Sequence, residues 1–203
     1  MEVFGTAFLP NIAYLKRLLA SSDACIDLGE HFVKQTQRNR TVILSSNGVM
    51  PIIIPLRKKD SSSLPNSSRR VVDMEISYAE DWQTKALRAI QSSYKNSPYF
   101  EHYQEEFEHL LMSQESLLYR YNKAFIEWLL KQLDVSATLA YSEEYVDAGD
   151  HLDYRSVDFY HPTFDVQPIP YKQVFTHKMP FVANLSVIDL LFNKGPEALP
   201  FLQ

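Results

Sequence analysis

At Asp81 the apolar pattern of the chain changes period, and that change bounds the fold. From there to Leu133, apolar and aromatic side chains recur at the three- and four-residue spacing of an amphipathic helix. Trp82, Leu87, Ile90 and Tyr94 mark one stripe; Phe100, Tyr103, Phe107, Leu110 and Leu111 mark a second. Leu117, Leu118, Tyr121, Phe125, Trp128, Leu129 and Leu133 mark a third, starting near Gln114. Asn96-Ser97-Pro98 divides the first two, with proline where a first helical turn favours it. The spacing predicts a helical lobe over about residues 80–134 whose aromatics serve as core. Asn122, polar amid apolar positions, reads either as exposed or as a buried hydrogen-bonding anchor.

Before Asp81 the apolar runs are short. Val3 to Phe8 reads as a strand ended by Pro10, Asn11 as the cap of a helix running to Leu19, and Ala24 to Leu28 as a second, buried strand. That strand, helix, strand opening belongs to α/β domains. Thr41 to Leu44 and Val49 to Ile54 form a hairpin through Ser46-Asn47-Gly48. Val71 to Ile76 and Thr138 to Tyr141 read as further strands, and Tyr171 to Phe175 as a strand or extended arm. Near the end, Asn184 to Phe192 reads as a helix capped by Ser186, with Asp189 three positions on. Its Leu185, Ile188 and Phe192 predict packing on the sheet, before a last turn from Pro196 to Leu202. The expected fold class is α/β, a mixed sheet with flanking helices and a three-helix lobe, in a single domain over residues 1–203.

Composition narrows the functions. With 45% hydrophobic and 22% charged residues, 203 residues make a chain able to bury a sizeable core. A net charge of -5 argues against coating nucleic acid, so any anion site is a local basic pocket. The single Cys25 excludes an internal disulfide, fits a reducing compartment, and reads as a small buried apolar residue. No run approaches the roughly 20 apolar residues of a membrane span, and Met1 to Pro10 has no basic leader. The expected address is the cytoplasm.

Two stretches carry polar chemistry. Glu30 to Thr41 is dense in cations and amides: Lys34, Gln35, Gln37, Arg38, Asn39 and Arg40. Guanidinium groups match carboxylate or phosphate as a fork, and amides read hydroxyls. As a helix the stretch pairs Lys34 with Arg38; extended, it pairs Arg38 with Arg40. The second stretch, Glu143 to Arg155, is acidic, with Asp158 and His161 beyond it. Asp150, His151, Asp153 and His161 suit an acid/base pair or a divalent cation, but their spacing matches no recognised metal motif, so no metal ligand is assigned. Between the two, Arg57 to Arg70 is serine-rich and basic, with Lys58, Lys59 and Arg69, and reads as a solvated loop or a mobile lid over an anionic ligand.

Several of these pieces stand in a particular order: Phe8-Leu9-Pro10, Lys34 to Arg40, Asn47-Gly48, Ser97-Pro98-Tyr99-Phe100 after a tryptophan-led helix, and Asn184-Leu185-Ser186-Val187-Ile188-Asp189-Leu190-Leu191-Phe192-Asn193-Lys194-Gly195-Pro196. Together they resemble the WbqC-like protein family over nearly the whole chain. That family is associated with bacterial gene clusters for surface polysaccharide biosynthesis, O-antigen included, so the resemblance implies a cytoplasmic protein handling an activated sugar. It supplies no catalytic residue set and names no cofactor. Thr84-Lys85-Ala86 stand in the helix after Trp82, where a histidine is expected in many members, so no base is assigned there.

The expected function is therefore group transfer, by a transferase, on a nucleotide-activated or phosphorylated sugar. Lys34, Arg38 and Arg40 would bind phosphate or carboxylate, Gln35 and Asn39 would read hydroxyls, and Tyr94, Tyr99 or Trp82 would stack on a ring. Asp150, His151 and Asp153 are the candidate acid and base groups. The expected partners are a small anionic ligand, either a sugar phosphate or a nucleotide sugar, and a second copy of the chain or a biosynthetic enzyme. Two rivals stand beside this reading. A noncatalytic binding or assembly protein would expose a Tyr and Phe patch around Pro98 to Tyr103. A metal-dependent hydrolase would build on Asp150 to His161. What matters most is whether residues 34–40 and 150–161 meet in space.

Overall fold

The computed structural model describes residues 1–58, 68–161 and 168–203. Most of the expected lid, residues 59–67 with Lys59, lies outside the described residues. Two short apolar segments, β1 (Glu2–Gly5) and β2 (Ala24–Asp27), pair in parallel, Val3 against Cys25 and Phe4 against Ile26. Both are covered on both faces, as a parallel sheet requires. α1 (Ile12–Ala20) connects them and starts as expected, the Asn11 side chain accepting the Tyr14 amide at 3.0 Å. Tyr14 then reaches back through the core and donates its hydroxyl to Gly5 O at 2.8 Å, fixing the helix to the end of β1.

β5 (Ala140–Ser142) joins beside β2, and β6 (Leu152–Asp153) beside β1, also in parallel, giving the order β5-β2-β1-β6. All four strands therefore end on one edge. The chain leaves β1 toward β2 and returns only at β6 on the other flank, so the strand order reverses at β1. A crevice opens outside the carboxyl ends at such a point. The two residues of β6, one of them acidic, carry no strand signal of their own. β3 (Arg40–Ser45) and β4 (Gly48–Ile53) form the expected hairpin as a separate antiparallel pair. Gly48 takes φ 105 at its turn. Thr41, Ile43 and Ile52 lie in the main interior, while Leu44 packs with Phe175 and Leu185 in a small second cluster. The fold is α/β and mixed.

The lobe forms from α2 (Trp82–Tyr94), α3 (Phe100–Leu111) and α4 (Leu118–Gln132). α4 begins later than the expected Gln114, because Glu115 Oε1 accepts the Leu117 amide at 3.0 Å ahead of it. Asn122 proves to be a buried anchor: its Nδ2 donates to Arg38 O at 2.8 Å and Thr6 Oγ1 at 3.2 Å, tying the lobe to the polar stretch.

Three expectations are corrected. Val71 to Ile76 contains a 3-10 turn, Val71–Asp73, in place of a strand. Val71 and Met74 plug the core, while the amides of Val71 and Val72 pair with Glu30 O and Leu28 O; apolar content there reports burial, not extension. Tyr171 to Phe175 forms no strand: Tyr171 is buried in irregular chain and Phe175 in the turn that follows. α5 (Val187–Lys194) does follow Ser186, but the Ser186 hydroxyl donates to Leu9 O at 3.0 Å and makes no bond to the helix start. Residues Val187 to Asn193 are all buried, and α5 packs mainly against α1, α3 and the 3-10 segment Gly195–Leu202 that follows it. Phe192 is a hub there, with Tyr94, Phe100 and Phe107 set edge-on around it.

Candidate functional site

The carboxyl edge of the sheet is built on buried ion pairs. Asp27, the last residue of β2, is fully buried. Its Oδ1 accepts the amides of Gly29 at 2.8 Å and Glu30 at 3.2 Å; its Oδ2 accepts the Val146 amide at 3.3 Å and the Arg155 guanidinium. The turn so formed needs glycine at 29, where a Cβ would stand 2.1 Å from the Tyr145 amide nitrogen. It delivers Glu30 to Arg38. Arg38 donates from Nε to Glu30 Oε1 at 2.8 Å and from Nη2 to Oε2 at 2.5 Å, with further bonds to Arg155 O at 2.9 Å and Thr36 Oγ1 at 3.1 Å. β1 ends beneath this pair in Gly5, where a Cβ would lie 2.6 Å from Glu30 Oε1. Arg155 grips Asp153 with bonds of 3.0 and 2.6 Å and lies 4.6 Å from the centre of the Tyr145 ring.

Protonation follows this packing. Burial pushes the Glu30 carboxyl up, with the Arg38 fork opposing it. The Arg155 hydrogen bonds hold Asp153 below the usual carboxylate range. Burial raises the Tyr160 phenol to about 12.

Above this floor lies a cleft of about 290 Å³, with residues of 33–38 on one wall and 155–160 on the other. The two polar stretches of the sequence therefore meet. Gln37 lines the cleft while 6% exposed; its backbone carbonyl accepts the Phe8 amide at 2.8 Å, but its side-chain oxygen is buried without a partner. The opposite wall is pinned from outside: the Phe159 carbonyl accepts Asn11 Nδ2 at 2.8 Å and Asn184 Nδ2 at 2.6 Å. Asn184 holds φ 55 and accepts the Ala13 amide at 2.9 Å, so α1 and the start of the tail helix share one asparagine.

The expected site residues separate into groups. Gln35, with φ 60, and Arg38 line the cleft, and exposed Lys34 lies between lining residues Val33 and Gln35. Arg38 is engaged by Glu30. Arg40 is half-buried near the Tyr160 end, its charge favouring the phenolate there, and among the described residues neither it nor Lys34 forms an ion pair. Asn39 turns away, donating to Ile54 O at 2.9 Å. Tyr99 lies outside the cleft lining, its ring over Gly195; Trp82 and Tyr94 are core residues, so neither stacks on a ligand. Asp150 and His151 sit on an exposed turn after Gly149, outside the lining, and Asp153 is bound to Arg155. Among the described residues no group of three or more His, Cys, Asp or Glu is placed to hold a metal ion, so Asp150, His151, Asp153 and His161 do not converge.

Asp27, Glu30, Arg155, Asn11 and Asn184 build the site, yet none of them is among the candidate binding or catalytic residues that the sequence singles out. Except for Glu30, whose partner Arg38 is eight residues on, each bonds a partner more than a hundred residues away or a backbone atom, and charge patterning reports neither. The one available signal was an acid closing an apolar strand, Asp27 after Ala24-Cys25-Ile26.

A protein-family model, that of the WbqC-like protein family, matches residues 6–162 and again 156–200. No curated protein and no solved structure matches the chain. Among the described residues no helix is long and apolar enough to cross a membrane.

Proposed function

The chain belongs to the WbqC-like protein family, and from that premise we propose that it performs group transfer on a nucleotide-activated or phosphorylated sugar in bacterial surface polysaccharide biosynthesis of the O-antigen type, in the cytoplasm. One observation carries this reading: the two polar stretches close a single cleft at the carboxyl edge of a parallel sheet, where α/β proteins hold small ligands. Arg38 and Arg155 are held by carboxylates and shape the floor. Lys34 and Arg40, unpaired among the described residues, are the cations for the ligand's phosphate, the first beside lining residues Val33 and Gln35 and the second near Tyr160. Asp158 lines the wall and is the carboxylate best placed to take a proton from a sugar hydroxyl or amine.

The assembly reading has less support. Phe100 and Tyr103 of its expected aromatic patch are buried and Tyr99 is half-buried, with Phe100 and Tyr103 against Phe192.

A thermal-shift screen with nucleotide sugars and sugar phosphates tests the proposal on the whole chain. A ligand at a hundred times its dissociation constant stabilises a fold by about 2.7 kcal/mol. The expected result is stabilisation by one of these classes, lost in a Lys34→Ala/Arg40→Ala variant and kept in Asp158→Asn, which instead stops turnover. No stabilisation by either class would overturn it. Arg38→Ala is a poor probe here, because it leaves Glu30 buried and unpaired.

A further inference from the structure

We propose that the floor of this cleft is the subsite for the sugar ring, taking an uncharged or amine-bearing ring through a donor to Gln37, and that phosphate stays at the rim. The inference deepens the reading just given and rests on it. Gln37 is nearly enclosed, and its side-chain oxygen, buried without a partner, belongs to a residue lining the cleft. A buried acceptor in that condition is satisfied by a hydroxyl or an ammonium, and not by an unprotonated phosphate oxygen, which only accepts.

The charges around it point the same way. The two guanidinium groups of the lining, Arg38 and Arg155, are paired with carboxylates that lie outside it, Glu30 for the first and Asp27 and Asp153 for the second, while Asp158 is an acid on the wall. Both guanidinium groups already donate in several directions, to carboxylates and to backbone carbonyls. A phosphate on this floor would meet no free guanidinium fork, and in Asp158 a like charge. A ring bearing hydroxyls or an amine offers a donor to the unpaired Gln37 oxygen instead. Lys34 and Arg40, which form no ion pair among the described residues, stand outside the cleft lining, an arrangement that suits a ligand with a neutral or cationic ring at one end and an anion at the other.

The test uses the full chain, isotope-labelled for amide NMR, with methyl glucoside, glucosamine and inorganic phosphate as separate probes. Both ring probes should shift the amides of Gln37 and Val157, glucosamine binding more tightly, and Gln37→Leu should weaken both about tenfold with an unchanged melting midpoint. Inorganic phosphate should shift Lys34, leave Gln37 and Val157 in place, and bind Gln37→Leu as it binds the parent. Phosphate shifts at Gln37, ring affinities untouched by Gln37→Leu, or no response to either ring would overturn the subsite. Ring binding at the floor while nucleotide sugars fail to stabilise the fold would sink the group-transfer reading and leave the subsite standing. Stabilisation by nucleotide sugars that ignores Gln37→Leu would do the reverse.

Discussion

Arg38 and Glu30 face each other as a two-bond fork, Nε to Oε1 at 2.8 Å and Nη2 to Oε2 at 2.5 Å, with 2% and 5% of their surfaces exposed. Removing one partner of such a pair leaves a buried charge, at a cost of about 3–5 kcal/mol, whereas replacing both with apolar groups of similar size is often neutral. Arg38→Ala and Glu30→Gln are therefore each expected to lower unfolding free energy, Arg38→Ala by that amount. Arg38→Met/Glu30→Leu should recover most of the loss. Urea denaturation of the four proteins checks this, and a double variant as unstable as the singles would contradict it.

The glycine after β2 gives a second prediction. A Cβ at Gly29 would stand 2.1 Å from Tyr145 N and 2.3 Å from Glu144 C, and neither backbone atom can swing aside as a side chain would. Gly29→Ala must push the 144–146 segment outward, which breaks the Val146 amide bond to Asp27 and loosens Arg155. A loss of about 1–3 kcal/mol is expected, with weaker hydrogen-exchange protection at Val146.

Asn184 supplies a third. Its amide bonds two segments at once, Ala13 N and Phe159 O, from a left-handed backbone that asparagine tolerates better than most residues. Asn184→Ala loses both bonds and keeps the strain, for an expected cost of about 1–3 kcal/mol. Because Phe159 lines the cleft, ligand affinity should fall as well. Asn11→Ala removes the other bond to the same carbonyl together with the helix cap, so it should cost more stability.

Most of the architecture was legible because it rests on local periodicity. Asn11 announced α1, Trp82 to Leu133 announced the lobe, and Asn47-Gly48 announced the hairpin, each through neighbours within a few residues. Val71 to Met74 misled for the same reason: buried apolar residues look alike in a strand and in an irregular core plug. β6 was silent, since two residues against an existing edge need no pattern of their own. At the site, the sequence placed Arg38 in a polar surface, but which carboxylate a cation pairs with depends on how the turn between them folds. Glu30 stood inside the same stretch and was still not paired with it. The meeting of residues 33–38 with 155–160 depends on where β6 docks, and the sequence carries no signal for that.

Asp189 gives a prediction in pH. Its carboxylate is fully buried beneath α5, accepting from Tyr171 Oη at 2.6 Å and Gln173 Nε2 at 3.0 Å. Burial raises its pKa, and the hydrogen bonds from Tyr171, Gln173 and Tyr94 oppose that shift without cancelling it. A carboxyl with a higher pKa folded than unfolded binds more protons in the folded state. The stability tied to it is then complete below the unfolded value, about 4, and is lost as pH rises through the folded one. Asp189→Asn keeps the shape and removes the ionisation. Relative to the parent it should therefore gain stability between pH 4 and pH 7, read as the difference in urea midpoint at each pH. A difference that stays flat over that range, or one that grows toward acid, would show that the carboxylate is not strained by its burial.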